Sequence, residues 1–161
     1  MSVGIIADGI TIEGNIIAND SLVINGNVNG NVIATNDLRI TGEVTGDICA
    51  NTIITNGAKI KGNINSKNEV IIEENSIIIG DITGINVKVS GAIKGEIHAD
   101  EQLTLKKSAI VMGNIESKNI ELLPNAVLDG KISKLRNESD ENIFNVFDEI
   151  NTEQIILTIP S

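Results

Sequence analysis

The sequence predicts an all-β solenoid, and three observations predict it. A glycine, a polar residue and an Ile or Val recur at a nearly constant interval. Large aliphatic and small residues separate into columns when the chain is cut at that interval. Aromatic residues are 1% of the 161-residue chain although hydrophobic residues are 41%. A core built from Ile, Val, Leu and Ala points to one small cross-section copied many times. The β-branched bias favours strand over helix.

The interval is first visible in "GNVNGNV" (26–32) and again in "GEVTGDI" (42–48). Cutting at each glycine that precedes a polar–aliphatic pair selects Gly14, Gly30, Gly46, Gly62, Gly80, Gly95, Gly113 and Gly130. The spacings are 16, 16, 16, 18, 15, 18 and 17 residues, too short for leucine-rich or ankyrin units. Two places after each glycine stand Ile16, Val32, Ile48, Ile64, Ile82, Ile97, Ile115 and Ile132. Two places before stand Ile12, Val28, Val44, Ile60, Ile78, Ile93, Val111 and Leu128. Four places after the first seven glycines come only small residues, Ala18, Ala34, Ala50, Ser66, Gly84, Ala99 and Ser117. Four places before, from the second rung on, come Gly26, Gly42, Ala58, Ser76, Gly91, Ala109 and Ala126. Midway lies a further pair, beginning Leu22/Ile24 and Leu38/Ile40 and ending Ile120/Leu122.

Spacing of two marks strand with alternate residues facing inward. Each rung therefore reads as three short extended sides and about three corners. Aliphatics fill the sides, and small residues sit where the chain bends. Each glycine lies between two inward-facing positions, where a bend or a tight approach needs it. The polar residue after it (Asn15, Asn31, Asp47, Asn63, Asp81, Glu96, Asn114, Lys131) faces out. Glu73–Glu74 and Lys106–Lys107 fall in the two 18-residue rungs, at a bulge or loop. The expected fold is a β-solenoid of about eight rungs, roughly 16–18 residues each, over residues 1–135. One coil cannot bury its own interior, so its neighbours supply the core and the backbone partners.

Residues 136–161 read as a separate acidic tail. They carry one basic and six acidic residues, net −5, and residues 1–135 contribute the other −5 of the total −10. "SDENIFNVFDEI" (139–150) places Ile143, Phe144, Phe147 and Ile150 at helical spacing behind Ser139 as N-cap. "QIILTIP" (154–160), with Ile155 and Ile156, reads as a short strand. The tail either folds back on the rod, at its end or side, or recruits a protein partner.

Composition excludes several function classes. Nucleic-acid binding needs a basic stripe and usually stacking aromatics, and neither is present in this acidic chain. Cys49 is the single cysteine, which excludes an internal disulfide and a Cys cluster for zinc. His98 is the single histidine. The parity of Ile97 and Ala99 points it outward, as an ordinary surface residue and not a catalytic base. One histidine cannot supply a three-histidine zinc site. Polysaccharide-cleaving helices, calcium-binding nonapeptides and threonine-ladder ice binders lack their residues here. No phosphate-binding glycine loop is followed by Lys-Ser/Thr, so no cofactor is expected. The N-terminus "MSVGIIADG" has no signal-peptide pattern, and a cytoplasmic protein is expected.

The columns resemble the bactofilin family of bacterial polymer-forming cytoskeletal proteins. The residues that carry the resemblance are the openings "GNIIA" (14–18), "GNVIA" (30–34), "GDICA" (46–50) and "GEIHA" (95–99), with the closings "AKIKG" (58–62) and "AVLDG" (126–130). The resemblance spans about residues 5–135. It implies a right-handed triangular β-helix that polymerises end to end without nucleotide, as a scaffold for cell shape, cell-wall synthesis, stalks or motility structures. Localisation would be cytoskeletal, with any approach to the membrane made through partners. Many members carry a membrane-touching N-terminal segment. Here the first rung begins almost at Met1, so direct membrane binding is not expected. Self-assembly is expected through the end rungs, Ile5, Ile6, Ile10 and Ile12 at one end and Leu128, Ile132 and Leu135 at the other. The alternative is a monomeric binding module capped by its tail, or an atypical β-helix enzyme.

Overall fold

Period-two alternation of aliphatic residues gives short strands, and the recurring corners wind them into coils. The computed structural model describes residues 3–135, which form a parallel β-solenoid. The first coil consists of β1 (Val3–Ile6), β2 (Thr11–Glu13) and β3 (Ile16–Ala18). The second consists of β4 (Ser21–Ile24), β5 (Asn27–Asn29) and β6 (Val32–Ala34). The third begins with β7 (Asp37–Ile40) and β8 (Glu43–Thr45). The chain then passes through β9 (Ile48–Thr55), β10 (Lys59–Lys61), β11 (Ile64–Ile72), β12 (Ile77–Ile79) and β13 (Ile82–Val89). It closes with β14 (Ala92–Lys94), β15 (Ile97–Leu105), β16 (Ile110–Met112), β17 (Ile115–Leu122), β18 (Val127–Asp129) and β19 (Ile132–Lys134). Every pairing is parallel and joins a strand to its counterpart one coil on.

The structure departs from three short sides per coil. In the first two coils the third segment and the following first segment are separate strands, as in β3 and β4. From β9 onward they run as one strand of eight or nine residues. The small-residue position between them (Ala50, Ser66, Gly84, Ala99, Ser117) is therefore inside a strand. The ladder accommodates it with a register shift, between Ser66 and Glu69 against β9 and between Gly84 and Asn86 against β15. The unequal rung lengths have two sources. β11 and β15 hold one residue more than β9, β13 and β17. The turn before the second segment also varies, with Glu73–Ser76 longer than Ser90–Gly91. Glu73, Glu74, Lys106 and Lys107 all lie in the longer version. Asn75 and Asn125 take positive φ there, 67° and 75°, a conformation Asn tolerates better than most residues.

The core is a set of aliphatic ladders. Ile24, Leu38, Ile40, Ile48, Ile60 and Ile64 are among the fully buried side chains. Buried hydroxyls are satisfied: Thr55 Oγ1 donates to Ser76 Oγ at 3.1 Å, and Ser66 Oγ donates to the Asn51 carbonyl at 2.7 Å. Among the described residues no buried side-chain polar atom lacks a partner.

The glycine column is explained by close approach along the rod. A Cβ on Gly46 would fall on the carbonyl of Gly30, and a Cβ on Gly62 on that of Gly46. The same relation repeats down the column to Gly130 over Gly113. Gly62 also holds φ at +152°, which L side chains rarely adopt. The polar residue that follows forms a second ladder. Asn31 N donates to Asn15 Oδ1 at 2.9 Å, Asp47 N to Asn31 Oδ1 at 2.9 Å, and Asn63 N to Asp47 Oδ1 at 3.0 Å. Asp81 N and Glu96 N extend it at 3.0 and 2.9 Å. The flanking backbone N–H groups, Gly30 and Val32, donate to carbonyls of the next coil, Thr45 and Asp47. The N–H between them has the opposite direction and takes the side-chain oxygen instead. The Oδ1 of Asn or Asp has the required reach, which explains the Asn/Asp preference at this position.

Two stability effects follow from these ladders. Gly62→Ala puts a methyl on backbone and strains φ, so it should destabilise by more than about 3 kcal/mol. Gly57→Ala meets only the φ constraint, since nothing lies within 4 Å of its Cβ position, and should cost about 1–2 kcal/mol. Denaturant unfolding of both variants checks the order. Asn63→Ala removes the acceptor for Asp81 N and should cost about 1 kcal/mol, whereas Asp47→Asn keeps the acceptor and should be near neutral.

Candidate functional site

The ends of the solenoid hold the residues from which assembly was expected. The first, second and third segments each occur eight times, from β1, β2 and β3 to the last part of β17, β18 and β19. At the N-terminal end β1, β2 and β3 each pair on one side only. At the C-terminal end the same holds for residues 119–122 of β17, for β18 and for β19. Both ends therefore present unpaired strand edges, the template for pairing with another chain.

The end side chains are distributed unevenly. Ile6 pairs with Ile24 and is buried, and Ile12 pairs with Val28 and is half-buried. Ile10 stands at the position that Gly26 and its successors fill with small residues, and is 47% exposed. A large side chain fits there because no coil lies beyond it. Ile5 pairs with Val23 and points outward, on the flank of the rod, at 67% exposure. At the other end Leu128 and Leu135 are half-buried, and Ile132 is buried beneath its own coil.

The sequence reading missed part of each end. Ile16 and Ala18 are inward-facing yet half-buried at the N-terminal end, as are Ile120 and Leu122 at the C-terminal end. They are the first or last members of their columns. Counting coils from glycine to glycine hid this, because the described coils start at the first segment, β1, and finish at the third, β19. The tail residues Ile143, Phe144, Phe147, Ile150, Ile155 and Ile156 lie outside the described residues.

The flank holds no constellation suited to catalysis among the described residues. His98 faces out between Ile97 and Ala99, with Nε2 2.8 Å from Asp100 Oδ1 and Nδ1 3.1 Å from Glu116 Oε1. It lines a shallow groove with Asp81, Glu96, Asn114 and Lys131. Among the described residues no group of three His, Cys, Asp or Glu is placed to hold a metal. Lys88–Glu69 at 3.6 Å and Lys118–Glu101 at 3.5 Å are exposed pairs, each worth at most about 1 kcal/mol. No helix among the described residues is long and apolar enough to cross a membrane.

The family model for Bactofilin, "Polymer-forming cytoskeletal", matches residues 4–83 and again 56–133. The chain belongs to the bactofilin family. The two matches overlap and together cover nearly all the described coils, as expected when one unit is repeated in register. Bactofilins form a structural, cytoskeletal family, which agrees with two solenoid ends left unpaired by the described residues and a flank of ordinary surface contacts. No curated protein and no solved structure gives a significant match.

Proposed function

We propose that this chain is a filament subunit that polymerises end to end without nucleotide and scaffolds other proteins in the cytoplasm. The observation that supports this most is the pair of uncovered ends. A terminal solenoid coil normally needs a polar cap. Here unpaired edges coincide with half-buried Ile12 and Ile16 at one end and Ile120, Leu122 and Leu128 at the other. Contacts between such faces do not close on themselves, and repeating them builds an open filament. On this reading Ile6, Ile10, Ile12, Leu128, Ile132 and Leu135 are buried or covered in the polymer, with Ile5 flanking the joint. Membership of a polymer-forming family carries homopolymerisation to this chain. The role proposed for such filaments is support for cell shape, cell-wall synthesis or the placing of partner proteins.

Two measurements test the reading. Purified protein should sediment as polymer, with long unbranched filaments by negative stain, in buffer free of ATP, GTP and divalent metal. A strict requirement for nucleotide would overturn the proposal. Leu128→Arg would bury an unpaired charge in the joint at a cost of several kcal/mol, about 3–5 by comparison with other unpaired buried charges. Filaments should shorten or vanish while the far-UV β signal is kept. Ile132→Arg should do the same but also strains its own coil, so Leu128→Arg is the cleaner variant. Unchanged filaments from both would place the contacts elsewhere.

A further inference from the structure

The outward face of the eight-stranded sheet changes character halfway along the rod. One outward row runs Thr11, Asn27, Glu43, Lys59 and then Ile77, Ala92, Ile110, Val127. The row beside it runs Glu13, Asn29, Thr45, Lys61 and then Ile79, Lys94, Met112, Asp129. The first four coils are polar at both rows. In the last four, Ile77, Ile79, Ile110, Met112 and Val127 are exposed by 44–52%. No core lies outside this face to account for them. An apolar strip on a sheet whose other half is polar in the same two rows marks a surface that is covered by something.

Size and charge decide what covers it. The strip is two rows wide and four coils long, about 7 Å by 14 Å from strand geometry. A stable interface between two proteins needs about 800 Å² per partner, so a second copy seated on this strip alone would bury too little. A segment tethered to the same molecule avoids much of that requirement, because its effective concentration is in the millimolar range. The exposed Lys59, Lys61 and Lys94 share the face, and the turns beside it carry exposed Lys106 and Lys107. No ion pair with a described residue engages these five. Alongside the apolar half of the sheet the exposed acids are fewer, Asp129 on the face and Glu73 and Glu74 in the turn, while Glu13 and Glu43 belong to the polar half.

The complementary segment is residues 136–161. It has six acids and one base, and the acids flank apolar residues: Glu138, Asp140 and Glu141 precede Ile143 and Phe144, and Asp148 and Glu149 follow Phe147. Its root, Leu135, directly follows β19, one segment after the strand that holds Val127. Twenty-six extended residues reach about 85 Å, more than the roughly 38 Å occupied by eight coils.

We infer that the chain's own tail docks through Phe144 and Phe147 on the outward strip Ile77–Ile110–Val127 of the eight-stranded sheet, held by the surrounding lysines. This places the tail on the side of the rod and leaves its ends free. The inference is independent of how subunits polymerise.

The test is thiol labelling of the full chain in a Cys49→Ser background. Ile110→Cys places a reporter in the strip, with Val127→Cys as a second reporter should the first disturb folding by far-UV circular dichroism. Asn27→Cys, in the polar half of the same row, is the control. N-ethylmaleimide should modify Ile110→Cys about tenfold faster after truncation at Leu135, the change expected if the strip is covered nine-tenths of the time. Phe144→Ala with Phe147→Ala, or raised salt, should speed labelling in the same direction. Asn27→Cys should react equally in full and truncated chains. Protection should persist when labelled full chain is mixed into excess truncated chain. Equal rates at Ile110→Cys with and without the tail would overturn the inference. Protection that survives truncation and rises with concentration would assign the strip to a second copy. Protection lost on mixing would assign the tail to a neighbouring subunit, and either outcome also overturns docking in the same chain.

Discussion

The structure depends on one constraint, that each coil must lie on the one before at strand-pairing distance around its whole circumference. Side chains can fill an interior of many shapes, but backbone cannot interpenetrate. Where the chain turns between its second and third segments, the carbonyl of one glycine occupies the space a Cβ would need on the next, as for Gly30 beneath Gly46 and Gly46 beneath Gly62. This corner admits no other residue, so it sets the repeat. The neighbouring Asn/Asp ladder then supplies an acceptor to the N–H that the reversed corner leaves without a carbonyl. Corner and ladder together fix the register of every coil, and the aliphatic columns stack because the corners do.

Stacking of this kind is open by construction. An interior coil is paired on both sides, while the end coils are not. Nothing among the described residues covers the edges of β1, β2 and β3 or those of β18 and β19. The same physics that holds coil to coil can therefore hold subunit to subunit. On the reading proposed above, the polymer-forming character of the family would continue the stacking by which each chain folds.

The flank obeys different rules, because outward positions are free of the stacking requirement. Coil length varies there, through one extra residue in β11 and β15 and through turns of different length, without disturbing the interior. Ile17 and Ile33 are exposed on the outward row of the third segment near the N-terminal end, whereas Ile77, Ile110 and Val127 occupy the second segment near the C-terminal end. The two halves of the rod thus offer different surfaces although their interiors are the same.

The sequence by itself determined the solenoid, the number of coils and the inward-facing residues, because period-two alternation and a 15–18-residue recurrence leave one consistent assignment. It also placed His98 outward from the parity of Ile97 and Ala99 alone. The tertiary structure decided three things. The positions of Ala50 and Ser66 look like corners in a column of small residues, but pairing with neighbouring coils carries β9 and β11 straight through them. Ile5 reads as an end residue by number, yet its pairing with Val23 turns it onto the flank. The apolar strip on the eight-stranded sheet is invisible in any one strand, since "III" (77–79) and "IVM" (110–112) each look like core. Local sequence reports which residues are apolar and how they alternate. Only the stacking of coils puts Ile77 and Ile110, 33 positions apart, in one row with Ala92 between them, and that neighbourhood is a property of the whole rod.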